Sequence, residues 1–532
     1  MNNQKKIGSY YTPKNLADFM VDYCLSQLNM QIINVLEPSV GDGMFVSSIN
    51  DSNLTNYLDA INLTIVEREE KELNKANNRN IADNINLVSN CADYLDFQLI
   101  DENKYNLIIG NPPYVKKNYL TYEQKELCKN LHVDSGLSNK SIHNIWTSFL
   151  ISAVNKLDEN GIIAFVLPLE LLQVTFAEEI REFLKNELER VEVFTFNELQ
   201  FQECKGQDTV ILFGYKEHEE NGVYYTTIDS IEDLENNNFT LYQNISVSNS
   251  NKKWSHHFIT PEENAFLENL KKDLNLVSNY VENKPGIVTA CNDYFIVNKE
   301  TLEEFELEKY AKPIVQKGLF VNGSVAFNTI DYQELIDSNK PSYLLDFNNK
   351  VKGKLSDKLK EYLRIGVEEE IPLRYKCKQR KNWYEIPNIS KESEGFFFKR
   401  AHEYPKLIKN EANVHVTDSA YKLEMNESYN LNSFIYSFYN SLTLAFAELE
   451  GRYYGGGVLE LTPNEFRVLP IPYISIDDFD NYKDEFKAKK SISEIVNKHN
   501  YEILNSTLGI SKEDAQKVEN IRLKLINKRF RN

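Results

Sequence analysis

The sequence predicts an α/β fold in which a Rossmann-like, doubly wound and mostly parallel sheet is followed by a second, α+β domain. Two observations predict the sheet. Apolar runs typical of buried strands alternate with segments of helical periodicity up to about residue 215. The first three runs each lead to an acidic residue, and parallel α/β sheets bind ligands at the carboxyl ends of their strands. A third observation predicts the second domain, because the alternation is lost beyond about residue 250.

The domain boundary is predicted from composition. Residues 217–250 are acidic and rich in Asn and Ser, which indicates a boundary. We therefore expect a first domain at residues 1–245, a second at 246–475 and a helical extension of the second at 476–532. The length of 532 residues is compatible with two or more domains.

Charge and cysteine content exclude several classes of protein. The net charge of −19 argues against a protein that binds nucleic acid indiscriminately, although it permits one local basic surface. The six cysteines lack the paired spacing of zinc ligands or of a disulfide framework, so we expect no metal and a reducing environment. Because no apolar run is long enough to span a bilayer, we also expect a cytoplasmic protein without membrane contact.

The first elements are predicted by apolar spacing and by their ends. Apolar residues from Leu16 to Leu28 recur at helical spacing, with Thr12 suited to the N-cap and Pro13 to the first helical position. A strand at 32–36 then leads to Glu37 and to a turn with glycines at positions 41 and 43. Such a turn lets a ligand approach the backbone of a Rossmann-like sheet.

Three further strands follow, at 63–66, 85–88 and 105–110. The first leads to Glu67 and the second to Asp93, while the third ends in a turn with two prolines. The remaining predicted elements are a polar loop with one short helix at 115–143, a helix from Ile145 that ends at Asn160-Gly161, a strand at 162–168, a helix at 176–188, and strands at 191–194 and 209–213.

The turn Asn111-Pro112-Pro113-Tyr114 follows a strongly apolar strand. Two consecutive prolines fix φ and remove two backbone donors, which stiffens the turn and leaves its carbonyls as acceptors. The Asn111 side-chain oxygen and a proline carbonyl can each accept a hydrogen bond from an exocyclic amino group, with the Tyr114 ring beside a planar ring. The alternative is a rigid turn with no chemical role.

The acids at the strand ends indicate which ligand the sheet binds. Carboxylates would repel a pyrophosphate, and the G-x-G-x-x-G pattern is missing from the sequence. A positively charged cofactor with a ribose fits better. S-adenosylmethionine, which has a sulfonium, a ribose diol and an adenine, meets that description.

A basic cluster lies in the second half of the chain. Residues 371–410 contain ten Lys or Arg against four acids, interleaved with aromatic residues. This pattern favours a nucleic-acid surface over a solvated basic face. With two lysines near the proline turn, the candidate DNA-binding residues are Lys116, Lys117, Arg374, Lys378, Arg380, Lys381, Trp383, Lys399 and Arg400.

Together these motifs resemble the gamma-class adenine-N6 DNA methyltransferases of type II restriction-modification systems, in which the motif that usually comes last opens the chain. Residues 8–13 resemble that opening motif, residues 37–45 the cofactor loop and residues 111–114 the catalytic motif. The loop departs from the usual pattern at Val40. Residues 201–205 resemble the late motif whose aromatic residue packs on the target base. The turns at 286–290, 383–384, 454–457 and 469–472 resemble turns of the family's target-recognition domains.

The resemblance implies a class I methyltransferase fold and assigns roles to individual residues. The implied catalytic residues are Asn111, Pro112, Tyr114 and Phe201. The implied cofactor-binding residues are Tyr11, Thr12, Glu37, Pro38, Ser39, Gly41, Asp42, Gly43, Phe45, Glu67, Asp93 and Asn111, with Glu67 on the ribose and Asp93 near the adenine.

The implied activity is site-specific adenine-N6 methylation of double-stranded DNA with S-adenosylmethionine as methyl donor. The adenine would leave the duplex and stack on Tyr114 and Phe201. We expect a monomer that forms the modification part of a restriction-modification system, with a cognate endonuclease that acts separately.

Several alternatives share part of this pattern. A protein-glutamine N5 methyltransferase has the same tetrapeptide, but those enzymes are shorter and open with a helical domain. A cytosine-N4 methyltransferase usually has serine in place of Asn111. Intact motif residues argue against a non-catalytic DNA-recognition subunit. We find no convincing D-(E/D)-x-K pair for a fused nuclease, and therefore expect methylation only.

Overall fold

The computed structural model describes residues 11–197, 208–243, 253–254, 258–321, 323–348, 351, 355–454 and 456–530. One compact unit is built mainly from Met1–Ala265 and the other mainly from Phe266–Tyr453 with Gly457–Arg529. The predicted boundary at 245/246 lies outside the described residues and stays a prediction.

The first unit alternates strands and helices. Its strands are β1 (Ile32–Glu37), β2 (Ala60–Glu67), β3 (Ile85–Cys91), β4 (Tyr105–Gly110), β5 (Leu157–Pro168), β6 (Arg190–Phe196), β7 (Thr209–Tyr215), β8 (Gly222–Ile228) and β9 (Tyr242–Gln243). Its helices are α1 (Lys14–Gln27), α2 (Met44–Asp51), α3 (Glu70–Asn77), α4 (Tyr94–Ile100), α5 (Tyr122–Asp134), α6 (Trp146–Asn155), α7 (Glu170–Gln173), α8 (Glu178–Glu187) and α9 (Ile231–Glu235).

These strands form one sheet in the order β3-β2-β1-β4-β5-β7-β6-β8-β9. The first five strands in that order are parallel to one another, whereas β7 is antiparallel to both of its neighbours. The chain order reverses between β1 and β4, and an open α/β sheet binds ligands at such a switch point. The predicted Rossmann-like, mostly parallel sheet is confirmed.

The side chains of β4 explain why the sheet is covered on both faces. Every residue of this strand is buried. Leu107 and Ile109 pack with α1 and α2 on one face, whereas Ile108 packs with α5, α6 and α8 on the other. Because successive side chains of a strand point to opposite faces, this run of apolar residues requires a helix layer on each side.

Two local predictions in this unit were wrong. The stretch predicted as a loop with one short helix contains α5, a helix of 13 residues that a Thr121–Gln124 capping box starts. The helix predicted to end at Asn160-Gly161 is α6, which ends at Asn155, and those two residues belong to β5. Gly161 permits this because a Cβ there would lie 2.9 Å from the Tyr105 carbonyl oxygen.

The second unit mixes short strands with helices, which confirms the predicted α+β character. Its strands are β10 (Asn275–Leu276), β11 (Val281–Pro285), β12 (Ile296–Val297), β13 (Ala311–Val315), β14 (Ala326–Phe327), β15 (Tyr343–Leu345), β16 (Gly395–Phe398), β17 (Arg400–Ala401), β18 (Lys406–Asn410), β19 (His415–Val416), β20 (Ala420–Met425), β21 (Arg452–Tyr454), β22 (Val458–Glu460) and β23 (Pro470–Ile471). A five-stranded sheet has the order β11-β20-β16-β18-β14, and a four-stranded sheet has the order β12-β15-β13-β19.

The helices of this half begin with α10 and end with three long C-terminal helices. They are α10 (Pro261–Lys271), α11 (Val277–Tyr280), α12 (Asn292–Phe295), α13 (Lys299–Glu304), α14 (Thr329–Asp337), α15 (Asp357–Glu368), α16 (Tyr375–Lys378), α17 (Leu431–Phe438), α18 (Ser441–Glu450), α19 (Pro463–Arg467), α20 (Phe479–Ala488), α21 (Ile492–Leu508) and α22 (Lys512–Phe530). Within the described part of the chain, no helix has the length and apolar character needed to cross a membrane.

Candidate active site

A cavity of about 230 Å³ lies at the carboxyl ends of β1 to β4 in the first unit. Eleven of the predicted cofactor-binding residues line it: Tyr11, Thr12, Glu37, Pro38, Ser39, Gly41, Asp42, Phe45, Glu67, Asp93 and Asn111. The predicted ribose and adenine acids and the proline turn therefore face a single space, as the topology predicts for strand-end residues.

The glycine turn after β1 is shaped by its neighbours. Gly41 and Gly43 have φ of +54° and +83°, in the left-handed region that favours glycine. The Glu67 carboxylate accepts hydrogen bonds from the backbone N–H groups of Gly41 and Glu69, both at 3.0 Å. On its outer side, the Arg79 guanidinium donates to the Asp42 carbonyl at 2.8 Å. The turn is thus held from both sides before any ligand binds.

Glu37 is a buried acid in the wall of the cavity, with 1% of its surface exposed. Its Oε2 atom has no hydrogen-bond partner among the described residues. Burial, together with the charges of Asp42 and Glu67, holds the pKa of this carboxyl well above its usual range. A buried acid without a donor is costly unless a ligand supplies one, so Glu37 is suited to a cationic or hydrogen-bond-donating group.

Asn111 is oriented by a residue far away in the sequence. Its side-chain Nδ2 donates to the Thr12 hydroxyl at 3.3 Å, and its backbone carbonyl accepts from the Ser39 hydroxyl at 3.2 Å. The first of these bonds corrects the prediction for Thr12. Helix α1 has Pro13 at its N-cap, without a side-chain bond, and Thr12 is buried against the turn that contains Asn111.

Tyr114 lies beneath the turn rather than in the cavity wall. Only 7% of its surface is exposed, and its hydroxyl donates to the Val166 carbonyl at 3.0 Å. The ring packs in the core with Ile108 and Trp146. In this arrangement Tyr114 anchors the turn to β5, and its predicted stacking on a target base stays a prediction. Pro112 is also buried, whereas Pro113 lines the cavity.

The far end of the cavity contains a contact that sequence reasoning missed. Asp93 caps α4 by accepting from the Leu95 N–H at 3.0 Å. Its other carboxylate oxygen accepts from the side chain of Gln124 at 2.7 Å. Gln124 lines the cavity together with Tyr119, Leu120 and Thr121. The Thr121-x-x-Gln124 pattern of a capping box was the available signal for this helix start.

The charges that line the cavity are strongly unequal. Six acids face it, whereas Arg68 is the one Lys or Arg among the described lining residues; the acids are Glu37, Asp42, Glu67, Glu69, Glu72 and Asp93. Tyr11 lies over Gly41, and its hydroxyl donates to Glu72 at 3.1 Å. Such a cavity attracts cations and repels phosphates. Among the described residues, no group of three or more His, Cys, Asp or Glu side chains is arranged to hold a metal ion.

Comparison with known proteins agrees with this arrangement. Residues 25–201 match the Eco57I restriction-modification methylase family, and residues 251–504 match the C-terminal domain of the type II methyltransferase M.Eco57I. The two matches together cover most of the chain. The chain belongs to the Eco57I family of restriction-modification methylases. The predicted resemblance to type II methyltransferases is thereby confirmed.

Individual relatives agree with the family assignment. The type II methyltransferase M.AccI of Acinetobacter calcoaceticus is 25% identical over 528 residues, with 95% of this chain and 93% of that protein covered. M.BanIII of Aneurinibacillus aneurinilyticus is 26% identical, and the match covers 36% of this chain and 35% of that protein. The structure of the type IIL restriction-modification enzyme MmeI in complex with DNA shares the fold, with a TM-score of 0.58, 12% identity and coverage of 97% of this chain and 75% of that one.

The predicted DNA-binding residues of this family member have different environments. Lys116 and Lys117 follow the proline turn, and Lys116 is exposed. In the second unit Arg374, Lys378 and Lys381 are also exposed. Arg380, Trp383, Lys399 and the exposed Arg400 contact other parts of the unit: Arg380 donates to the Thr289 carbonyl at 2.8 Å, Trp383 packs on Tyr294, Lys399 lies over Tyr421 and Arg400 pairs with Glu460.

Most of the aromatic residues interleaved with the cations of the basic cluster are buried or partly buried. Phe396, Phe397 and Phe398 form the buried strand β16, and Tyr404 is 7% exposed. Of the interleaved aromatic residues, Tyr375 is the strongly exposed one, at 77%. The interleaving therefore arises mainly from a core strand, and the role of the exposed cations in DNA binding stays a prediction. Phe201, predicted to pack on the target base, lies outside the described residues.

Proposed function

We propose that the chain is a site-specific DNA methyltransferase that transfers the methyl group of S-adenosylmethionine to the N6 amino group of an adenine in duplex DNA. One observation carries the proposal: Asn111 and Pro113 of the proline turn line the same cavity as the six acids. A cation bound among the acids would therefore be close to an amino group held by the turn.

The residues present fit S-adenosylmethionine. The unpartnered oxygen of Glu37 and the surrounding acids suit its positive charges. Glu67 ends β2 and Asp93 follows the adjacent strand β3, as expected for contacts to a ribose and an adenine. The open backbone of the glycine turn allows close approach of the ligand. When bound, the cofactor supplies an electrophilic methyl group on a sulfonium.

The protein contributes orientation and hydrogen-bond acceptors. The lone pair of an adenine amino group is delocalised into the ring, which makes the nitrogen a poor nucleophile. Acceptance of its two N–H bonds by the Asn111 side chain and the Pro112 carbonyl would favour a pyramidal nitrogen, an interaction that strengthens in the transition state. Because Thr12 and Ser39 fix Asn111 beforehand, little reorganisation is needed during the reaction.

The target base must leave the duplex to reach the cavity, at a cost of a few kcal/mol. Stacking on aromatic residues, worth about 1–3 kcal/mol per base, would offset this cost. The exposed cations of the second unit and Lys116 would contact the phosphates. We further propose that the chain acts as a cytoplasmic monomer, and that a cognate endonuclease acts separately.

The test is modification-sensitive sequencing of DNA from a methylation-free host that expresses the wild type, Asn111→Ala or Asn103→Ala. Asn103 is exposed and precedes β4, whereas Asn111 follows the carboxyl end of the same strand, so the pair forms a matched control. We expect N6-methyladenine at one short motif with the wild type and with Asn103→Ala, and none with Asn111→Ala. Methylation by the Asn111 variant would refute the mechanism, and modification of a different base would refute the assigned chemistry.

A further inference from the structure

The segment that starts α5 forms a wall of the cavity to which neither the motif residues nor the family assignment gives a role. Gln124 is a polar side chain of this wall, and it contacts Asp93, one of the predicted cofactor-binding residues. Its Nε2 donates to Asp93 at 2.7 Å, and its Oε1 accepts from the Thr121 backbone N–H at 3.1 Å. The nitrogen and the oxygen of the Gln124 amide therefore each make a hydrogen bond. A flip of the amide would break both bonds, so the nitrogen stays directed towards Asp93.

The consequence for Asp93 is a fixed carboxylate. One oxygen accepts from Leu95 N–H and the other from Gln124. An ionised carboxylate offers about four acceptor positions, so these two bonds leave acceptor capacity on a group that also lines the cavity. With its rotation fixed, Asp93 presents its remaining acceptor positions to a ligand in the cavity.

The helix that holds Gln124 is anchored at its other end. The buried His132 ring bonds to the hydroxyl of Ser141 at 2.7 Å and to that of Ser148 on α6 at 3.0 Å. Cys128, one turn earlier, is fully buried. Gln124 thus projects from a packed element, which is the condition for precise placement of a contact.

We propose that Gln124 is a positioning residue that holds Asp93 for the 6-amino group of the cofactor's adenine and makes the site discriminate against a 6-oxo purine. The inference rests on the proposed function. A 6-amino group donates to Asp93, whereas a 6-oxo group would place an oxygen acceptor against the fixed carboxylate. In addition, a free glutamine could rotate its Nε2 towards a 6-oxo group, and the bond to Thr121 prevents that rotation.

The experiment compares two ligands on three proteins by isothermal titration calorimetry. The ligands are S-adenosylhomocysteine and S-inosylhomocysteine, which differ at position 6 of the purine. The proteins are the wild type, Gln124→Ala and Gln98→Ala. Gln98 is a matched control because it lies on α4, the helix capped by Asp93, and donates to the Leu95 carbonyl at 3.3 Å.

For the wild type and Gln98→Ala we expect affinity for the adenosyl ligand at least about 100-fold above that for the inosyl ligand. In Gln124→Ala this ratio should fall about tenfold, the equivalent of one hydrogen bond. The ratio is the decisive quantity, since a general loosening of the cavity would weaken both ligands together. A wild-type ratio in Gln124→Ala would overturn the inference and leave the proposed function standing. Failure of the wild type to bind S-adenosylhomocysteine would instead refute the proposed function.

Discussion

The turn after β1 offers a sharp test of how the cavity is built. Gly43 starts α2 with φ of +83°, and a Cβ at this position would lie 2.8 Å from the Ala76 Cα and 2.9 Å from its Cβ. Gly136 has nearly the same φ, +77°, but a Cβ there would have no atom within 4 Å. The pair Gly43→Ala and Gly136→Ala therefore separates the effect of a left-handed backbone from the effect of close packing against α3.

The expected magnitudes follow from these distances. Both variants acquire a left-handed alanine, at a cost of about 1–2 kcal/mol. In Gly43→Ala the turn and α3 must also separate by about 0.6 Å, from 2.8 Å to the 3.4 Å of ordinary contact, and overpacking of this kind costs about 1–3 kcal/mol more. Because Arg79 donates to the Asp42 carbonyl in the same turn, the displacement would reach the cofactor pocket.

The assay combines thermal unfolding with calorimetric binding of S-adenosylhomocysteine. We expect Gly136→Ala to bind like the wild type and to be slightly less stable. Gly43→Ala should unfold at a lower temperature than Gly136→Ala and bind at least about tenfold more weakly, the equivalent of 1.4 kcal/mol. If the two variants bind equally well and unfold together, then the packing of this turn against α3 does not shape the pocket, and the reasoning fails.

Three further outcomes are expected. Burial lowers the pKa of His132 to about 4. The stabilisation by its neutral ring is therefore complete above the usual pKa of about 6.5, and roughly 2 kcal/mol of the free energy of unfolding is lost between pH 7 and pH 5. His132→Asn should reduce the fall in unfolding temperature over that range, and an unchanged fall would contradict this assignment. Because the pKa of Glu37 is raised, a cationic ligand should favour loss of its proton. Calorimetry in buffers of different ionisation enthalpy should detect more proton release on binding with the wild type than with Glu37→Gln. Equal release would exclude Glu37 as the source. Lys381→Glu should weaken DNA binding and lower the salt dependence of that binding. Arg380→Glu should do the same and also lower protein stability, because the Arg380 guanidinium bonds to the Val288 and Thr289 carbonyls. Unchanged DNA affinity of both variants would place the DNA surface elsewhere.

The sheet and its site-bearing edge could be predicted because both depend on local patterns. The fully apolar run of β4 predicts a strand covered on both faces, and the acids at the ends of β1 to β3 predict a ligand site. Periodicity is weaker where polar residues dominate. Helix α5 buries only Cys128 and His132 fully, so its apolar periodicity is weak and the sequence predicts only a short helix in a loop.

In the second unit, residue types that alternate in sequence do not alternate on one surface. Cations and aromatic residues alternate between 371 and 410 in sequence, but the backbone separates them in space. The phenylalanines of β16 point into the core, while Arg374 and Lys381 remain at the surface. Alternation in sequence indicates a mixed surface only if both residue types face the same side, and short irregular strands do not reveal their faces.

The orientation of the site depends on contacts that no local pattern predicts. Asn111 and Asp93 follow strands β4 and β3, where a motif can place them, but each is aligned by a residue far from it in sequence. Thr12 bonds to Asn111 across 99 positions, and Gln124 bonds to Asp93 across 31. Both partners line the same cavity. The sheet therefore determines the positions of the hydrogen-bond acceptors Asn111 and Asp93. The segment before α1 and the start of α5 determine the orientations of their side chains. Substitutions in these two segments should change ligand selectivity more than they change the stability of the sheet, because neither Thr12 nor Gln124 belongs to a strand.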